Sequence, residues 1–322
     1  MIDRVLRCAL CIGAAAAFFA GCGESQPHVA PDFMPQNSAI TSAAHGKSWM
    51  QPGVKGRDLL YAAVGSGITV YTYPRGHLVG SLGVGGTYLC NDTAGNVFIP
   101  AGAFGTQILV YAHGATKAKA TLNDPYPAVA CSVDPTTERV AVTAGFGGGI
   151  VIYPYKPKQG WRYAKVYRDP DLQSIIFCAY DKNGNLFVDG KDSAGDFVVA
   201  EMPKGSQTFT AITLDQPIKT GGSIQFDRKY LAIADYGAGY PTAAVVYRFA
   251  LSGSSGTRIS KTTLDDSLAF GQFWIQGGKI IGPIGYDSIR AIGYWQFPAG
   301  GSPSKNFAGP DTYPSGEVVS LK

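Results

Sequence analysis

From Leu59 onward the chain alternates short apolar runs with glycine-rich or charged turns, and the runs recur in a fixed order. One phrase reads LLYAAV from Leu59, NVFIPA from Asn96, RVAVTA from Arg139, NLFVDG from Asn185, YLAIAD from Tyr230 and KIIGPI from Lys279, at spacings of 37, 43, 46, 45 and 49 residues. After each comes a glycine turn and a second strand with aromatics, as in ITVYTYP, ILVYAHG, IVIYPYK and AVVYRFA. A weaker polar strand follows (HLVGSL, AKATL, ISKTTL), and a fourth, small-residue strand lies between units (GGTYLCND, YPAVACSVD, QSIIFCAYD). Runs this short, bounded by turn residues and lacking a helical period, predict strands. Four strands per unit at this period predict an all-β fold: a six-bladed β-propeller of four-stranded antiparallel blades.

The phase of the repeat makes a second prediction. The strand at Leu59 has no inner strand before it, and PSGEVVSLK (Pro314 to Lys322) is an inner-type strand with no successor. Six complete blades result if Glu317–Leu321 pairs beside Leu59–Val64, which closes the ring and removes its open edges. The pairs Tyr71/Tyr73, Tyr153/Tyr155, Tyr247/Phe249 and Trp295/Phe297 stand at i, i+2, on one face of each second strand, where they fill the space between blades.

The first residues read differently. Arg4 and Arg7 precede an apolar stretch from Cys8 to Ala20, about a dozen residues where a bilayer span needs about 20, so residues 1–21 are expected to be an export signal. Phe19-Ala20-Gly21-Cys22 resembles a bacterial lipobox. That resemblance implies cleavage before Cys22, lipidation of Cys22 and stable anchoring in a bacterial envelope membrane, facing the periplasm or the cell surface. Residues 22–56 are rich in Pro, Ser, Ala and Gln without periodicity and read as a flexible tether, with Trp49 and Met50 an apolar anchor at its end. Residues 57–322 are the propeller. Gly46-Lys47-Ser48 fails as a phosphate loop because Thr41 stands where that motif requires glycine.

Composition agrees with this picture. Glycine supplies 42 of 322 residues and charged side chains only 16 %, which suits tight turns and short strands. A net charge of +4 is too small and scattered for a nucleic-acid footprint, so nucleic acid is not an expected partner. With Cys8 and Cys11 in the signal and Cys22 lipidated, Cys90, Cys131 and Cys178 remain. They are odd in number, so no disulfide framework is expected, and they read as small apolar packing on inner strands.

The phrases DTAGNVFIPAG, DKNGNLFVDG and DRKYLAIAD, each followed by a glycine turn and a VVY-like strand, resemble NHL-type six-bladed propellers. With HGKSWM, CSVDPTTE, FWIQGGK and FPAGGSP, the chain also resembles an uncharacterised group of bacterial secreted or lipoprotein propellers. The resemblance implies a fold and a location, and no substrate.

Chemistry is sparse. The GxSxG, HExxH and GxGxxG patterns do not occur. Asp181, Asn183 and Asn185 are the candidate calcium ligands, but glycine comes two positions early for an EF-hand loop, so the segment reads first as an Asp-capped turn. No cofactor is expected. Lactonase and gluconolactonase propellers hold an axial divalent metal on Glu, Asn and Asp, whereas the inner strands here offer Thr87, Cys90, Cys131, Cys178, Ser223 and Gln225 without an early Glu. The loop aromatics Tyr126, Trp161, Tyr167, Tyr240 and Tyr313 are the candidates for ligand contact. The reading is therefore a monomeric, non-catalytic scaffold for a protein, peptide or glycan. A metal-dependent lactonase-like hydrolase and a structural envelope protein are the alternatives.

Overall fold

The computed structural model describes residues 46–322 apart from 66, 103–104, 148, 157–159, 162–163, 268–270, 287–288 and 309–313. Cys22 and Tyr313 lie outside the described residues, as do the signal and most of the tether. Strands β1 (Trp49–Met50), β2 (Leu59–Val64), β3 (Gly67–Thr72) and β4 (Leu78–Leu82) open the chain, with one 3-10 turn at Val54–Gly56. Then come β5 (Cys90–Asn91), β6 (Val97–Ala101), β7 (Gln107–Tyr111) and β8 (Ala118–Asn123). The third group is β9 (Cys131–Val133), β10 (Val140–Thr143), β11 (Gly145–Phe146), β12 (Gly149–Tyr153), β13 (Tyr155–Lys156), β14 (Gly160–Trp161) and β15 (Lys165–Arg168). They are followed by β16 (Ser174–Tyr180), β17 (Leu186–Lys191), β18 (Phe197–Met202) and β19 (Thr210–Leu214), and by β20 (Gly221–Phe226), β21 (Leu231–Asp235), β22 (Ala243–Ser252) and β23 (Ser255–Asp265). The last are β24 (Trp274–Gln276), β25 (Lys279–Tyr286), β26 (Ile289–Gln296), β27 (Lys305–Ala308) and β28 (Pro314–Ser320).

The strands pair chiefly as antiparallel meanders in sequence order. β5 to β8 make one four-stranded sheet, β9-β10-β12-β15 a second and β24 to β27 a third. A nine-stranded sheet contains two such meanders, β16 to β19 and β20 to β23, joined by a short parallel contact in which Thr213 and Leu214 face Ser255 and Gly256. Two sheets remain: β13 pairs with β14, and the other runs β1-β4-β3-β2-β28. Here the C-terminal strand lies antiparallel to the first long one, with Leu59 opposite Ser320 and Ala62 opposite Glu317. The sheet also gains an outer strand inside the stretch read as tether, because Trp49 and Met50 pair with Ser81 and Gly80. Met50 packs on the core, whereas Trp49 stays exposed.

Period-two alternation explains the core. In β2, Leu59, Tyr61 and Ala63 pack against β6, while Leu60, Ala62 and Val64 pack against β25 and β26. In β21, Leu231 and Ile233 face the β16–β19 meander, and Ala232 and Ala234 face Ile280, Ile284 and Trp295. β2 and β21 are thus apolar on both faces, as a strand in a sheet sandwiched between two others requires. Tyr71, Tyr153, Tyr247, Phe249 and Trp295 are all buried in these inter-sheet layers, and Tyr71 and Tyr73 meet Phe307 and Tyr294 with ring centroids 5.0 and 5.9 Å apart.

One expectation fails. Cys90 and Cys131 form a disulfide joining β5 to β9, with Cα atoms 5.6 Å apart, and Cys178 is the free, buried thiol. An odd count concealed a pair and a spectator.

Candidate functional site

The inner strands converge on a cavity of about 500 Å³, lined among others by Asn91 of β5, Ser132 of β9, Tyr180 of β16, Gln225 of β20, Trp274 of β24 and Val319 of β28. It opens where each inner strand turns into its second strand. The disulfide and Cys178 also line it. Burial pushes the Cys178 thiol well up, with Asp189 adding to the effect, so it is neutral at ordinary pH.

The rim is built from aspartate turns. Asp181 Oδ1 accepts the N–H groups of Asn183 and Asn185 at 2.9 and 2.8 Å, and its Oδ2 accepts Asn185 Nδ2 at 3.0 Å. Asp92 takes the N–H groups of Ala94 and Asn96 in the same way. Asp134 accepts the N–H and hydroxyl of Thr136, both at 2.8 Å. Asp181, Asn183 and Asn185 therefore come together around donors of their own chain. Asn185 Oδ1 is used as well, accepting the Lys204 N–H. Among the described residues, no group of three or more His, Cys, Asp or Glu is placed to hold a metal ion. Gly184, at φ +86°, also answers to its neighbour: a Cβ there would lie 2.8 Å from Thr136 Oγ1 and 2.9 Å from Asp134 Oδ1.

Inner-strand polar side chains bind the next strand's backbone instead of a ligand. Asn91 Nδ2 donates to Val319 O at 2.7 Å, and Thr87 Oγ1 to Val129 O at 2.8 Å. Ser132 Oγ accepts Tyr180 N–H, and Ser223 Oγ accepts Phe273 N–H. Gln225 spans to both main-chain groups of Ile275, and Gln272 to both of Leu89. Neighbouring inner strands lack a ladder of their own, so these bonds satisfy main-chain groups that would otherwise be buried unpaired. Thr87, Ser223 and Gln225 were legible as polar inner-strand positions, but their role depends on which strand stands beside them.

Beyond the cavity the axis is closed by aromatics. Tyr88 and Phe177 stack with centroids 4.6 Å apart, and Tyr236 donates its hydroxyl to Gly271 O at 3.0 Å. Gly222 admits that ring, since a Cβ there would meet Tyr236 Cε2 at 2.4 Å. Burial pushes the Tyr88 phenol up to about 12, and moves Tyr236 further in the same direction with Tyr88, Asp189 and Glu317 contributing. Two acids in the interior escaped sequence reasoning. Glu317 on β28 is fully buried with neither carboxylate oxygen hydrogen-bonded, and Asp189 uses Oδ1 for Phe177 N–H but leaves Oδ2 unpartnered. Desolvation holds both well above the ordinary carboxylate range.

The loop aromatics disperse. Tyr126 follows the outer strand β8 and stacks under the Arg168 guanidinium at 5.0 Å; Tyr167 lies in β15 with Lys165 above its ring at 4.9 Å. Tyr240, 64 % exposed, lies between β21 and β22. Antiparallel alternation puts the loops of Tyr126 and Tyr240 on the face opposite the cavity. Trp161 belongs to β14. Tyr126, Tyr167 and Tyr240 do not line the cavity.

No known protein family and no curated protein matches the chain. Among solved structures it is similar to the β-propeller domain of Cps50 (Swd1) from Myceliophteria thermophila, at 11 % identity and a TM-score of 0.54 over 83 % of this chain and 87 % of that one. It is similar to U3-55K at 11 % identity and a TM-score of 0.50, over 71 % of each chain. A protein assigned as a 6-phosphogluconolactonase from Bacteroides fragilis matches at 11 % identity and a TM-score of 0.54, over 84 % of this chain and 99 % of its own. Identity this low carries fold alone. The described residues form an all-β propeller with almost no helix.

Proposed function

We propose that the chain is a non-catalytic binding scaffold: an exported, lipid-anchored propeller of six blades that presents its axial mouth to a ligand. The blade count is supported by the meanders, taking the nine-stranded sheet as two blades and β28 as the inner strand of the first. It is also supported by the hydrophobic clusters, which pair consecutive meanders all the way round and bring the last against the first. The resemblance of the strand phrases to NHL-type propellers fits the same count. Export draws support from the inter-blade disulfide, a bond that persists in oxidising compartments, and anchoring through Cys22 rests on the lipobox resemblance.

The observation that carries the binding role is the convergence of the inner-strand ends on one 500 Å³ cavity, a size typical of small-ligand sites. Its partner is a protein loop, a peptide or a glycan. In a thermal-shift screen of the purified full chain, one of these classes is expected to raise the melting temperature. Ala94→Trp, at an exposed rim position lining the cavity, is expected to abolish the shift without lowering the basal melt. A shift that survives Ala94→Trp refutes binding at the mouth.

The lactonase-like neighbour gives a second reading, an axial metal hydrolase. The residues fit it poorly. Thr87, Ser223 and Gln225 hold adjacent strands, Cys90 and Cys131 are joined, and Glu317 lies outside the cavity lining. Stoichiometric divalent metal in the purified protein would favour the hydrolase; as a structural envelope protein it would show no ligand shift at all.

A further inference from the structure

The groups at the axial mouth divide by how far they are already committed. The carboxylates of Asp92, Asp134 and Asp181 are held by donors of their own turns. The side chains of Lys182, Arg228 and Gln276 line the same cavity, and have no hydrogen bond or ion pair with any described residue.

Arg228 is the odd residue of this set. It stands at φ +85° in the turn between β20 and β21; the corresponding turns after β5 and β16 use Gly95 and Gly184 at φ +76° and +86°, and the turn after β9 has Glu138 at φ +57°. A long side chain in the left-handed region is strained, and such outliers gather where the side chain is used. Glycine would make the turn without strain but would leave the mouth without its guanidinium.

Its surroundings complete a constellation. Trp274 and Gln276 are at i, i+2 on β24, hence on one face, and both line the cavity. The two Gln225 bonds to Ile275 hold β24 beside β20, the strand that leads into Arg228. Lys182 follows β16 in the preceding meander. One arc of the mouth therefore carries two free cations, a free amide and an indole whose remaining surface packs against the two core layers flanking β2. Asp134 and Glu138 line the mouth from the β9–β10 turn, and Asp181 lines it beside Lys182 with its carboxylate held by its own turn.

We propose that this arc binds an acidic sugar of the hexuronate class. A guanidinium takes a carboxylate in a two-pronged, charge-assisted contact. An indole takes the apolar face of a pyranose ring, and an amide both donates to and accepts from its hydroxyls. The cavity volume suits roughly one or two such rings. The assignment rests on the axial mouth being the binding site.

The test is calorimetric titration of the full chain with galacturonate, digalacturonate and galactose. Digalacturonate is expected to bind at least about tenfold more tightly than the neutral sugar, and more weakly as salt is raised. Arg228→Gly is expected to lose that preference while melting no lower than the parent, since it relieves the backbone. Trp274→Leu is expected to weaken acid and neutral sugars alike. Equal binding of acid and neutral sugar, undiminished acid binding by Arg228→Gly, or no binding of either acid at millimolar concentration overturns the assignment. If a neutral glycan or a peptide binds at the mouth instead, the acidic-sugar assignment fails and the scaffold reading stands. If nothing binds there, both fail.

Discussion

A glutamate buried without a partner resists ionisation, and Glu317 is the clearest case here. Desolvation alone raises its pKa well above 4.5, and the groups that feel its charge, Tyr236 and Tyr294, are phenols raised in turn. In the unfolded chain it ionises near its ordinary pKa of about 4.3. The folded state therefore binds the extra proton, and the stabilisation is fully present only below that pH. It is lost as pH rises above that value toward the higher folded pKa. Urea unfolding of the parent is expected to give a stability that falls as pH rises above about 4.3, and Glu317→Gln to flatten the slope. Asp189 acts with the same sign, so Glu317→Gln with Asp189→Asn should flatten it further. An identical slope in parent and double variant would show that neither acid is buried as described.

At the scale of the strand, the inner edges pose a problem that the meanders do not solve. A sheet satisfies its own ladder, but successive inner strands meet side by side without one. The chain meets this with side chains: Asn91, Ser132, Ser223, Gln225 and Gln272 each bond a neighbouring strand's backbone. The Cys90–Cys131 bond makes one such seam covalent. Cross-linking residues 41 apart limits the unfolded chain by about 4 kcal/mol in the entropic account. Cys90→Ala with Cys131→Ala is expected to lose most of that in denaturant unfolding, with Cys178→Ala nearly neutral as a control. Gln272→Leu removes the partner of a buried N–H and a buried C=O on Leu89 and should cost about 2–4 kcal/mol.

Across the whole molecule, stability turns on one non-local pairing. β28 meets β2 more than 250 residues away, and Val318, Val319 and Ser320 are buried between sheets. Deleting residues 314–322 strips two buried valines and bares the inner edge of β2, a loss of about 5 kcal/mol or more. For a domain this size that is about 10 °C or more in melting temperature. Shortening the exposed hairpin at Gly253–Ser254 should move it by less than about 2 °C. Comparable melts for the two deletions would refute closure by the C-terminal strand.

The fold was largely legible because it is periodic. Six copies of one apolar phrase with faces to bury, and an unpaired strand type at each end, follow from local pattern. A chain that must bury those faces has few ways to do so. The aromatic pairs were legible too, since i, i+2 spacing sets the face whatever the neighbour. What alternation cannot encode is which residue of the next strand stands opposite. The disulfide, the Gln225 and Gln272 bonds, the unpartnered Glu317 and the strained Arg228 at the cavity all depend on registers between strands some 40 to 250 residues apart. Only packing sets those registers. The sequence determined the repeat and its face; the tertiary structure decided the seams and the mouth, because these are contacts between units that the pattern within a unit does not specify.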